Sequence, residues 1–365
     1  MILDHVRDVA LSVFSKDYAE ARQKFLAAVP SAKAYACSAP GPSGEPLFTD
    51  VAYFGRPDAK RLLVLVSATH GVEGYCGSAG QLSFLKAGFH EDLPPSVGVL
   101  CIHALNCHGF AWDRRVTAEG CDLNRNFVDF SKPLPSNSGY EELAEYFVPA
   151  DITPEAFERA DDVLNAYKAE QGEQRYLEAM ISGQFTSPDG MFYGGTEPTE
   201  ARQLLEKIVD DFDVTSRDEV LVIDYHTGLG PYGYGELQCE QPSGMSGYER
   251  AVNIYGPSVT SPDIGNSSSV AIVGPQDAYW ERILGNRHTY VALEFGTVPI
   301  AGIVDAVRHD HSLSMHRPGE IDSEIGRRVR LGTKLAFYPQ GDDWKELVVG
   351  RCHVVHRQAM AALTS

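Results

Sequence analysis

Four short apolar runs, each stopping at a polar cluster, constrain this chain more than any other feature. Leu62–Val66 (LLVLV), Leu100–Ile102 (LCI), Val220–Ile223 (VLVI) and the weaker Tyr290–Leu293 (YVAL) show no polar–apolar alternation. Runs of this kind suit strands covered on both faces, as in a parallel sheet sandwiched by helices. The polar residues come at once. Val66 leads into Ser67-Ala68-Thr69-His70-Gly71-Val72-Glu73, and Cys101 is followed by His103 and Asn106. Ile223 leads into Asp224-Tyr225-His226, and Leu293 into Glu294. Open α/β sheets place their sites at the carboxyl ends of strands, so these clusters are where a site is expected.

The rest of the pattern is helical. Ser15 to Val29 has helical spacing with Ser15 as the expected cap, and Pro40 to Pro46 reads as a turn between strands. Residues 149–212 are expected to form a mainly helical insertion, with a helix starting at Thr199. Trp344 to Leu363 is expected to close the chain as a helix interrupted near Gly350. No repeat or linker divides the sequence. The expected architecture is one α/β domain over residues 1–365, with a mostly parallel mixed sheet flanked by helices.

Charge and composition narrow the partners. With 50 acidic and 31 basic residues the net charge is -19, which repels phosphate backbones and anionic membranes. No run reaches the ~18 apolar residues of a membrane span. Met1–Asp8 carries charges where a secretion leader would be apolar. Seven scattered cysteines with no CxxC suggest reduced thiols, and a cytoplasmic protein is expected.

The residue types at the strand ends suit zinc, which in catalytic sites takes three protein ligands of the His/Glu kind and keeps one position open. His70 and Glu73 are three apart, so one turn can aim both at one ion, with Gly71 and Gly74 expected to loosen that turn. An HxxE pair alone is common by chance, and a buried, hydrogen-bonded histidine is the ordinary alternative. The next segments add weight: Asn106-Cys107-His108-Gly109-Phe110, then Arg114-Arg115, then Asp122-Leu123-Asn124-Arg125-Asn126-Phe127.

In this order the chain resembles the zinc carboxypeptidase (carboxypeptidase A-like, funnelin) superfamily. That family shows HxxE after a core strand, an N-x-x-G-F segment, an arginine, D-x-N-R-N with an aromatic, a strand-end histidine and a late glutamate. The resemblance spans roughly residues 62–296. It points to a bacterial branch marked by ATHGVEG (68–74) and ALEFGT (292–297). It implies a zinc carboxypeptidase-like (phosphorylase/hydrolase-like) fold and one zinc per chain held by His70, Glu73 and His226. It implies Glu294 as general base, Arg114 at the oxyanion, Asn124 and Arg125 on a substrate carboxylate, and Asp122 behind His70. Two departures stand out: Cys107 replaces the family's proline, and no substrate-covering tyrosine can be placed among Tyr234, Tyr255 and Tyr279.

The implied activity is a metallopeptidase cutting an amide beside a free carboxylate, as a carboxypeptidase or peptide amidase. The alternatives are an N-acyl amino acid deacylase of the aspartoacylase/succinylglutamate desuccinylase type and a non-enzymatic binding module. Val128-Asp129 stand where the deacylase branch continues with Pro-Gly, which favours the peptidase. The expected partner is a peptide or N-acyl amino acid, with neither nucleic acid nor membrane. Two rival motifs are weaker. Gly228 to Gly233 matches GxGxxG, but Pro231 argues for a loop rather than a dinucleotide-binding helix start. His309, His311 and His316 are expected to sit in a solvated loop.

Overall fold

The computed structural model describes residues 2–365, with side chains from Arg7 onward; the start of the polar segment Met1–Asp8 thus lies partly outside the described residues. Among the described residues, eight strands form one sheet: β1 Lys33–Ala36, β2 Phe48–Gly55, β3 Arg61–Val66, β4 Val97–His103, β5 Glu219–Tyr232, β6 Gly235–Gln238, β7 Val259–Thr260 and β8 His288–Gly296. Their order is β1-β2-β4-β3-β5-β8-β6-β7. The centre, β4-β3-β5-β8, is parallel. β2 joins antiparallel at one side and β6 at the other, so the sheet is mixed.

The central strands are apolar throughout because both faces are covered. Along β3, Leu63 and Leu65 enter one core with Tyr75, Phe84, Trp344 and Val348, while Leu62, Val64 and Val66 enter another with Leu205, Ile208 and Trp280. All five are fully buried, and each such side chain contributes roughly 1.5–3 kcal/mol. Helices Gly74–Lys86 and Asp342–Thr364 cover the first face; Glu200–Asp211 and Gln276–Leu284 cover the second.

A third apolar cluster lies off the sheet. Tyr140, Leu143, Phe147, Leu164 and Met180 come from helices Ser138–Phe147, Pro154–Gln171 and Glu173–Ile181. They pack with Ile303 and Val307 of helix Ile300–His316 and Phe337 of helix Glu324–Phe337. No helix of the described residues is long and apolar enough to cross a membrane.

Several local expectations need correction. The helix expected from Ser15 runs Tyr18–Ala28, capped by Asp17, whose side chain accepts from Glu20 N at 2.8 Å. The closing helix passes through Gly350 unbroken; an added Cβ there would meet nothing within 4 Å. His309, His311 and His316 lie on a helix rather than a loop, and His311 is buried with its Nδ1 3.0 Å from Val307 O. The GxGxxG segment opens no helix: Gly228 and Gly230 belong to β5, with φ of +136° and +93° that suit glycine.

Candidate metal centre and its cleft

The parallel strands bring their carboxyl ends to one edge of the sheet, and the four polar clusters meet there. After β3 the chain turns at Ala68, whose φ of +60° is strained for a residue with a Cβ. Two backbone bonds, Leu105 N to Ser67 O (2.9 Å) and Asn106 N to Ala68 O (3.0 Å), hold that turn. His70 and Glu73 come next on a single turn, Glu73 ending a short 3-10 segment. Gly71 is needed here for space, not for freedom. A Cβ on it would lie 2.1 Å from Gly109 C, and one on Gly74 would lie 2.5 Å from the Phe110 ring. The segment Cys107–Ala111 is therefore pressed directly against the His70–Glu73 turn. Asn106 fixes its start by accepting from Gly109 N at 2.9 Å.

His226 arrives on β5, and Glu294 is its direct neighbour on β8 in the strand register. His70, Glu73 and His226 each offer an atom within 4.8 Å of the others, all three buried. Both imidazoles turn Nδ1 inward: Nδ1 to Nδ1 is 3.2 Å, with Glu73 oxygens at 2.9 Å from His70 and 3.0 Å from His226. Both outer nitrogens face carboxylates. His70 Nε2 lies 3.1 Å from Asp122, and His226 Nε2 lies 2.9 Å from Asp224. The His70–Asp122 hydrogen bond fixes that ring's orientation and raises its basicity, while His226 Nε2 has the Asp224 charge beside it without a hydrogen bond. Asp224 was visible beside His226 in the sequence but had no role there. It is held by Thr69 Oγ1 (2.8 Å) and Tyr290 O–H (2.9 Å).

The electrostatics favour a cation at this point. Burial works against a charge on His226, yet Asp224 and Glu73 outweigh it and hold the imidazole well above its usual pKa. Burial likewise opposes ionisation of Glu73 and Asp122. For Glu73 the His70, His226 and Arg115 groups prevail, and for Asp122 the Arg115, His70 and Arg125 groups, so both carboxyls sit below the ordinary range. The chemistry of this donor set, two nitrogens and a carboxylate, fits zinc. Glu294 differs from its neighbours. Burial, then the Glu73 charge, push it up to about 8, and it accepts from Leu229 N at 2.8 Å.

The arginine assignment separates two neighbours. Arg115, not Arg114, lines the cleft. Arg115 donates to Glu73 Oε1 at 2.9 Å and to Asp122 at 3.0 Å, and its Nη2 lies 2.8 Å from His70 Nε2. Arg114 turns away and donates from Nε to Asp310 at 2.9 Å. Nothing in the motif marks which of two successive arginines faces inward.

Asn124 and Arg125 both line the same cleft, on a 3-10 turn capped by Asp122. Asn124 Oδ1 is taken by Gln276 N at 2.8 Å, so its amide N–H groups are what remain for a ligand. Arg125 donates one bond each to Asn124 O (3.0 Å) and Ile181 O (2.7 Å), while Nε has no partner. Its distance to Asp122 is 3.9 Å, and Asp129 pairs with Lys132 instead. The cleft spans about 810 Å³ of space, the open solvent at its mouth included. An apolar stretch of its wall comes from Ile181, Phe192, Ile303, Val307 and Phe337. Neither Tyr234, Tyr255 nor Tyr279 lines it. Ser269, of the run Ser267-Ser268-Ser269, does, and this run is tied down by Glu236, which accepts from Ser267 Oγ (2.9 Å) and Ser268 Oγ (2.5 Å).

Solved structures similar to this chain include carboxypeptidase A from Helicoverpa armigera, at 12% identity and TM-score 0.42, covering 94% of this chain and 72% of that one. The murein-tripeptide amidase MpaA from Escherichia coli O157 matches at 15% and 0.35, covering 86% and 94%. An aspartoacylase family protein from Mesorhizobium loti matches at 12% and 0.37, covering 78% and 66%. No curated protein matches the sequence. The model of one sequence family, described as "Protein of unknown function (DUF2817)", matches residues 14–351, and the chain belongs to that family.

Proposed function

We propose that this protein is a zinc hydrolase that cuts an amide bond beside a free carboxylate, as a carboxypeptidase or peptide amidase does. One observation carries this reading. A single cleft joins a cation-seeking His70–Glu73–His226 triangle, a glutamate with a raised pKa, and an Asn124–Arg125 pair suited to an anion.

In this proposal His70, Glu73 and His226 hold one zinc, with Asp122 and Asp224 orienting the two rings. When bound, the ion supplies Lewis acidity to the attacking water and the scissile carbonyl. Glu294 takes the water's proton and later delivers it to the leaving amine. The Leu229 N–H fixes one of its oxygens, which leaves the other for that transfer. A pKa of about 8 suits a proton carrier near neutral pH, and a nearby cation draws it lower. Arg115, rather than Arg114, faces the cleft and is the guanidinium available to the developing oxyanion. Asn124 and Arg125 grip the carboxylate, a pairing of donors and charge suited to it. The apolar wall keeps water away from the reacting bond.

The test is a pair of variants. Glu294→Gln keeps zinc at about one per chain, as three ligands and an open position imply, and loses turnover by roughly 10²–10⁴-fold. His226→Ala loses the zinc. Near-normal turnover in zinc-loaded Glu294→Gln rejects the role, and full occupancy in His226→Ala rejects the ligand set. Zinc binding without hydrolysis of any carboxylate-flanked amide leaves the binding-module alternative.

A further inference from the structure

Glu240 is the acid in this cleft to which the proposed mechanism gives no work. Among the described residues lining the cleft, the acidic ones are Glu240 and Glu294. Glu240 is half-buried two residues beyond the end of β6, and its surroundings supply charges but no hydrogen bond. Burial, then Asp277, push its carboxyl up to about 7, and Arg125 and His226 pull the other way. None of these neighbours is an ion-pair partner. Asp277 is an acid already paired with His288 at 2.9 Å. Arg125 directs its two Nη atoms to backbone carbonyls. Gln238, which also lines the cleft, gives its amide N–H to Ser268 Oγ at 3.0 Å. Its amide oxygen remains, so both residues at this spot present acceptors.

A carboxylate that lines a cleft with no donor of its own is an open acceptor, and a ligand that brings a charged donor forms a charge-assisted hydrogen bond there. The wall also carries Asn124 and Arg125, the donors proposed for the carboxylate, an apolar stretch, and the hydroxyls of Thr227, Ser269 and Tyr290. We infer that Glu240 recognises an ammonium group on the same amino-acid unit whose carboxylate meets Asn124 and Arg125, so that the substrate's leaving half is a diamino acid. This rests on the proposed carboxylate capture for its geometry. The net charge of -19 favours the approach of such a cation.

The experiment compares L-lysine with L-norleucine, which has the same carbon chain without the ammonium, by calorimetric titration of the zinc-loaded protein. Lysine is expected to bind roughly 10- to 100-fold more tightly, the size of a charge-assisted hydrogen bond. Glu240→Gln removes that gap, and Glu240→Asp, which keeps the charge, retains part of it. Zinc content and Tm report whether each variant is folded. A wild type that fails to bind lysine, binds both ligands alike, or keeps its preference in folded Glu240→Gln overturns the proposal. L-Lysinamide separates it from the parent reading. If carboxylate capture is wrong, lysinamide binds as well as lysine, while the gap between lysine and norleucine still reports on Glu240 alone.

Discussion

At the scale of single residues, Arg114 and Arg115 show how much depends on direction. Their carbonyls both serve the His70–Glu73 turn, Arg114 O accepting from Val72 N at 2.8 Å and Arg115 O from Gly71 N at 3.0 Å. Their side chains then part. Arg115 lies among Glu73, Asp122 and His70, while Arg114 satisfies the buried Asp310. Arg115→Ala is therefore expected to weaken zinc binding by roughly 10- to 100-fold, the usual cost of losing a partner that orients ligands. Arg114→Ala should keep its zinc and lose about 3 kcal/mol of stability, because Asp310 is left buried and unpaired. Metal titration and urea unfolding of both variants check this. Normal zinc affinity in Arg115→Ala together with lost affinity in Arg114→Ala reverses the assignment. The motif led to Arg114, whose side chain turns to Asp310, while Arg115 lines the cleft, since motif spacing carries no information about which side chain faces in. The histidine and carboxylate positions were easier, because a polar residue at the end of a doubly buried strand has few places to go.

Among the elements, glycines separate what the pattern reveals from what only packing reveals. Gly71 looked like a source of turn freedom. Its actual constraint is the backbone of Gly109 and Phe110, 2.1–2.4 Å from where its Cβ would be. That contact joins residues distant in sequence, so no local pattern announces it. Gly71→Ala should cost about 1–3 kcal/mol, as overpacking does, and should weaken zinc binding because His70 moves with the turn. Gly350 is the opposite case. The sequence pattern breaks there, yet nothing approaches it, and the helix runs from Asp342 to Thr364 through it. Gly350→Ala should stabilise the protein by about 0.5–1 kcal/mol through helix propensity alone. Thermal melts of the two variants should move in opposite directions; a stabilised Gly71→Ala contradicts the close approach. The same distinction explains Ser15 and Asp17. Both can cap, but Asp17 accepts from Glu20 N at 2.8 Å while the buried Ser15 hydroxyl makes no hydrogen bond. The helix Ile300–His316 was missed because its histidines resembled a polar loop, although His311 is buried.

On the scale of the whole molecule, the site is where separately packed layers meet. β3 and β5 bring His70, Glu73 and His226 from the sheet, and the cluster of Ile303, Val307 and Phe337 closes over the same edge. The sheet was legible from its unbroken apolar runs; the closing layer was not, because its contacts join helices from residues 138–181 to helices from 300–337. An ion bound to both strands stabilises the folded chain by mass action, so chelation should lower Tm. The pH dependence identifies the responsible charge. Burial and Glu73 raise Glu294 to about 8, against about 4.3 for a free glutamate. Between these values the folded chelated protein holds one more proton at Glu294 than the unfolded chain does. Stability from this group is thus complete below about pH 4 and is lost as pH rises through about 8. Glu294→Gln cannot titrate and lacks that loss, while the shifts at His226 and Asp122 remain in both proteins. Chelated wild type should therefore lose stability relative to chelated Glu294→Gln from about pH 5 to about 8, by up to a few kcal/mol. Zinc should flatten the difference, because a nearby cation favours the ionised carboxylate. Parallel Tm curves for the two chelated proteins across that range would show that Glu294 is not held protonated by its surroundings.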